Sequence, residues 1–269
     1  MDKSQRIALT VSLVIALSAG SAFAGGGDSQ ATNPDGTKRS CSKEEMEKRK
    51  RAAEEAAAMK STKPSDVAAD RISFYNVGLV CKAAPKIGCG SRAKPVLLSL
   101  IQNSRVAGAW LNEAGTRLAI AWKQDAKPLT ADQLDAVLDP HGVALQPVSD
   151  TNRNELVATL AGNSGWYNAA SVDRLSEQES GIIATRLVKR LAAKTTVTDE
   201  QQSRLHAAFE QTLRSRLTGS GSGKLNEQKL IADVNDQLLT AATPHIDSTA
   251  LPALKEVIAL GYRPLPNEE

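Results

Sequence analysis

The 269-residue chain sets 33 Lys and Arg against 30 Asp and Glu, for a formal net charge of +3. A balance this near to neutral excludes an electrostatic grip on nucleic acid, and an aromatic content of 3% excludes stacking platforms for bases. Its three cysteines, Cys41, Cys81 and Cys89, all lie in the first third of the chain.

Lys3 and Arg6 lead into an apolar run from Ile7 to Leu17, and Ala22-Phe23-Ala24 precedes Gly25. A positive end held in the cytoplasm, an apolar stretch that enters the membrane and small side chains at a cleavage point make up a secretory signal peptide. Residues 1–24 are therefore expected to be removed on export, which lowers the net charge to +2. The run falls short of the roughly 20 apolar residues of a permanent span, and no second stretch of that length follows. The expectation is a periplasmic or secreted protein with no stable membrane insertion.

Residues 25–64 read as a Gly-rich disordered lead followed by a charged helix. Ser42 and Glu45 form a capping box for that helix, and Lys63-Pro64-Ser65 ends it. Residues 65–150 change in texture. Arg71–Val80 is β-rich, and Lys94–Asn103 carries Val96, Leu97, Leu100 and Ile101 on one helical face. Val106–Asn112 and Arg117–Trp122 are strands around a Glu113-Ala114-Gly115-Thr116 turn. Thr130–Leu138 is a helix with Thr130 as N-cap and Gly142 just past its end, and Val143–Val148 is a last strand. The order β-α-β-β-α-β over about 80 residues is the ferredoxin-like, split βαβ pattern. A connector spans 151–170. From 171 to 269 the leucine spacing predicts a helical domain, with Ser176 and Glu179 capping its first helix. The fold class expected is therefore α+β, a ferredoxin-like domain followed by an α-helical C-terminal region.

The chemistry concentrates around Lys86-Ile87-Gly88-Cys89-Gly90-Ser91-Arg92-Ala93-Lys94-Pro95. A Cys between glycines, between a strand and a helix, is open to a ligand. Helix-start amides and the cations Arg92 and Lys94 favour its thiolate, the form that binds soft metals. Pro95 prefers the first helical position, which would leave Cys89 in the loop. His141, His206 and His245 lie in three separate segments with no ligand spacing. Trp110 and Trp122 fall on adjacent strands and read as packing residues, and Trp166-Tyr167 read as packing between the two regions. No Ser-His-Asp ordering, carboxylate pair or dinucleotide fingerprint stands out, so the reading leans away from an enzyme.

On these residues, the stretch from about 71 to 149 resembles the heavy-metal-associated domain family, whose motif Gly-Met-Thr-Cys-x-x-Cys precedes the first helix. Cys89 takes the place of the first motif Cys, Ile87 that of the Met, and Val96 and Leu100 fall on helix core positions. The resemblance implies a soft-metal site for Cu(I), Hg(II) or another soft ion. The second motif Cys is replaced by Arg92, which cannot ligate. Cys81 substitutes for it only if the loop from Lys82 to Gly88 folds back. Three states are open to these thiols: metal ligation by Cys89 with Cys81, a Cys81–Cys89 disulfide, or pairing of one of them with Cys41. They correspond to a metal-binding or metal-sensing protein, or to a scaffold that docks an envelope protein partner. A thiol-disulfide enzyme has less support without a Cys-x-x-Cys at a helix start.

Overall fold

The structure is a computed structural model, and it describes residues 62–162, 164–219 and 227–268. All of these belong to one compact unit, Arg49–Glu269. The expected signal peptide, the disordered lead, the capped helix at Ser42–Lys60 and Cys41 lie outside the described residues.

The chain is α+β. Five strands form one antiparallel sheet: β1 (Ile72–Asn76), β2 (Val106–Asn112), β3 (Arg117–Trp122), β4 (Gln146–Pro147) and β5 (Trp166–Tyr167). Their order is β4-β1-β3-β2-β5. The seven α-helices among the described residues are α1 (Gly90–Gln102), α2 (Ala131–Leu138), α3 (Arg153–Ala161), α4 (Asp173–Lys194), α5 (Asp199–Gly219), α6 (Glu227–Ala242) and α7 (Leu251–Ala259).

The central strands are buried on both faces, and their period of two sorts the side chains between two cores. Leu118, Ile120 and Trp122 point to one side, where they cluster with Val96, Leu97 and Leu100 of α1 and with Leu134 and Leu138 of α2. Ala119 and Ala121 point to the other, with Phe74 and Trp110, against Leu160 of α3 and Trp166 of β5. A third core gathers Ile183, Leu187 and Leu191 of α4 with Leu205 and Phe209 of α5, Leu238 of α6 and Leu254 of α7. Helix α4 joins the first core to the third, because Leu175 belongs to the sheet cluster and Ile183 to the helical one.

Several expected boundaries move. β1 stops at Asn76 rather than Val80. The expected strand Val143–Val148 shrinks to Gln146–Pro147 at the sheet edge, beside β1, where Val148 N–H still donates to the Phe74 carbonyl at 3.0 Å. The connector 151–170 holds α3 and β5, so Trp166-Tyr167 is an edge strand hydrogen-bonded to Asn112-Leu111. Thr130 caps α2 as expected, with a full capping box to Gln133. Ser176 and Glu179 cap nothing: α4 starts at Asp173, after a turn closed by the Asn168 side chain on the Ala170 and Ser171 amides.

Candidate metal centre

The site begins with a fold-back between β1 and α1. Cys81 N–H donates to the Ile87 carbonyl and Cys89 N–H to the Leu79 carbonyl, at 2.9 and 2.7 Å, and Val80 and Gly88 form an antiparallel bridge. The residues between make a small loop in which Ile87 N–H donates to the Ala84 carbonyl at 3.1 Å. The loop rests on the β2–β3 turn. Gly88 N–H donates to the Glu113 carbonyl, and a β-carbon on Gly115, whose φ is +71°, would stand 2.6 Å from the Gly88 α-carbon. The loop from Lys82 to Gly88 thus folds back and brings Cys81 beside Cys89.

Helix α1 starts earlier than Pro95 suggested. Cys89 is its N-cap in extended backbone, and the Ala93 amide donates to the Cys89 carbonyl at 2.9 Å. Pro95 sits inside the second turn, where its missing N–H removes one helical hydrogen bond. The expectation that Cys89 stays in the loop, away from the helix end, is thus corrected. So is its accessibility: Cys89 is 8% exposed and Cys81 2%. The flanking glycines serve close packing rather than ligand access. A β-carbon on Gly90 would lie 2.5 Å from Ser176 Oγ and 2.7 Å from the Val172 carbonyl oxygen, so the start of α1 presses directly on α4.

That contact brings in a residue the sequence reading assigned to a helix cap. Glu179 is 5% exposed. The sulfurs of Cys81 and Cys89 and a Glu179 carboxylate oxygen all lie within 4.8 Å of one another. Among the described residues, Glu179 Oε2 and Ser176 Oγ, one turn apart on the same face of α4, are buried with no hydrogen-bond partner. A signal for Glu179 was present: Leu175, Glu179, Ile183 and Leu187 step by four, so a carboxylate interrupts an apolar stripe. Ser176 three residues earlier made it look like a cap instead.

The three groups divide the charge unequally. Cys89 is lowered to about 6, first by the hydrogen bond from the Cys81 thiol and then by Ser91, the Arg92 backbone amide and the Arg92 charge, against the pull of burial. Cys81 is pushed up by that same hydrogen bond, by burial and by the Glu179 charge. Burial, and then the charge on Cys89, raise Glu179 to about 7, against a hydrogen bond from Cys81. Arg92 is exposed and acts from outside, while Lys94 reaches across to Asp173 at the start of α4, 2.8 Å away.

The comparisons with known proteins are blank. No protein-family model matches the chain, and neither do curated proteins or solved structures. The resemblance to heavy-metal-associated domains therefore rests on its own residues.

The other residues considered stand apart from this centre. His141 Nε2 is 2.7 Å from Ser99 Oγ, and His206 Nε2 is 3.1 Å from Thr185 Oγ1 on the surface of α4. His245 lies in a short turn after α6. Trp122 is core, its indole N–H donating to Ser73 Oγ at 2.9 Å, and Trp110 packs in the opposite face of the sheet. No helix among the described residues is long and apolar enough to cross a membrane.

Proposed function

We propose that this is an exported, periplasmic or secreted protein that binds a soft metal ion through Cys89 and Cys81, as a carrier or sensor rather than an enzyme. The observation that carries the reading is the fold-back of residues 82–88, which draws two buried thiols from positions eight apart to within 4.8 Å of each other. Thiolate is the ligating form, and Cys89 is biased toward it. The ferredoxin-like element of the reading is supported by the strand sequence β4-β1-β3-β2, in which α1 and α2 make the two crossovers. β5 extends that sheet beyond a simple ferredoxin-like fold. Cu(I), Hg(II) or another soft ion suits two thiolates.

The closeness of the thiols also supports a second reading, a scaffold protein with a structural Cys81–Cys89 disulfide that docks an envelope partner. Mass spectrometry of the purified protein, with and without reductant and then with Cu(I) or Hg(II), separates them. A one-to-one metal adduct that disappears in Cys89→Ser is the expected result. A quantitative Cys81–Cys89 disulfide that glutathione cannot reduce would overturn it.

A further inference from the structure

We infer that Glu179 is the third ligand of this centre, and that the site is built for a divalent d10 ion of the zinc and cadmium class rather than for Cu(I). The inference rests on the two-thiolate reading above and adds to it a donor from α4. Three observations carry it.

The first is an orphaned oxygen. A carboxylate oxygen sealed from water without a hydrogen-bond partner is costly to keep. Among the described residues Glu179 Oε2 has none, and the carboxylate, whose one thiol partner is Cys81, lies beside two sulfurs. A cation bound between the three groups supplies the missing partner.

The second is spacing. Zn–S and Zn–O bonds of about 2.3 and 2.0 Å put tetrahedral donors roughly 3.5–3.8 Å apart. Donor atoms already within 4.8 Å of one another need to close by only about an ångström to reach that geometry.

The third is charge. With their protons displaced by the ion, two thiolates and a carboxylate sum to −3. A monovalent ion would leave −2 in a buried site, whereas a divalent ion leaves −1 beside the amides that begin α1. Cu(I) is content with two thiolates in line and gains little from a hard oxygen donor. Because the sulfurs belong to the sheet region and the oxygen to α4, the same ion would clamp the start of α4 against the cysteine loop.

The test is a metal titration of the purified, reduced protein and of Glu179→Gln with Cd(II), Zn(II) and Cu(I), using competing chelators of known affinity. 113Cd NMR reports the donor set. Glu179→Gln is expected to weaken Cd(II) and Zn(II) at least about a hundredfold, since even residues behind a ligand cost 10–100-fold. Cu(I) affinity should change by less than about threefold, and the 113Cd shift should move. Glu179→Asp, which keeps a carboxylate, should fall between the two, and circular dichroism of the metal-free variants checks their fold. Unchanged Cd(II) affinity and an unchanged 113Cd shift in Glu179→Gln would remove Glu179 from the site and leave the two-cysteine reading standing. Failure of the parent protein to take up any of the three ions would overturn both.

Discussion

Gly90 leaves no room for a β-carbon: one built there meets Ser176 Oγ at 2.5 Å and backbone atoms of Val172 and Ser176 below 3 Å. The backbone atoms cannot swing aside as a flexible side chain would. Gly90→Ala is therefore expected to destabilise the protein by about 1–3 kcal/mol, the usual range for overpacking. It should also push Cys89 away from Glu179. Gly78 is the control, because nothing lies within 4 Å of its added carbon. Urea unfolding of Gly78→Ala should differ from the parent by less than about 0.5 kcal/mol. Equal losses in the two variants would show that α1 and α4 do not meet as tightly as described. The sequence shows Gly88 and Gly90 on either side of Cys89, but their purpose depends on what α4 presents to them.

At the scale of the element, the connector is the main surprise. Residues 151–170 show weak helical patterning, yet they supply α3 and β5 and close the second face of the sheet. Trp166 packs edge-to-face on Phe74, with ring centroids 6.1 Å apart, and its indole N–H reaches Thr159 Oγ1 at 3.4 Å. Trp166→Ala should cost about 3–5 kcal/mol, as for a large aromatic removed from a core. A loss under 1 kcal/mol in chemical denaturation would mean that β5 is only loosely attached. The two central strands and the second helix were legible because two short apolar runs around a Glu-Ala-Gly-Thr turn and the Thr130 cap are local signals. β1 and the start of α1 were misjudged because their ends are set by the fold-back at Val80 and Gly88.

Across the whole molecule, the cysteine loop is tied to the far end of the chain. Arg186 of α4 donates through Nη1 to the carbonyls of Ala83 and Tyr262, both at 2.7 Å. One turn along, Arg190 holds Glu268 with two hydrogen bonds, at 2.8 and 2.7 Å. Those bonds, with the Leu265 amide and the charges of Arg190 and Arg186, lower the Glu268 carboxyl to about 2 from an ordinary 4.5. A depressed folded-state value means that the stabilisation is present in full above about pH 4.5 and is lost as pH falls through 2. The stability gap between the parent and Glu268→Gln should thus be constant above pH 5 and close progressively toward pH 2, as read by thermal unfolding over a pH series. A gap that does not change with pH would assign the contact to packing alone.

By itself the sequence determined the α+β class and most of the secondary elements, and it singled out Cys89 as a candidate, because periodicity, caps and a Gly-flanked thiol are properties of neighbours in the chain. Only the tertiary structure decided what stands around that thiol. Cys81 arrives through a loop bridge, and Glu179 arrives from a helix 90 residues downstream, across an interface that exists because Gly90 lacks a side chain. The reason is physical. A buried carboxylate and a capping carboxylate look alike in one dimension, and the difference between them is set by the surface that packs against the helix.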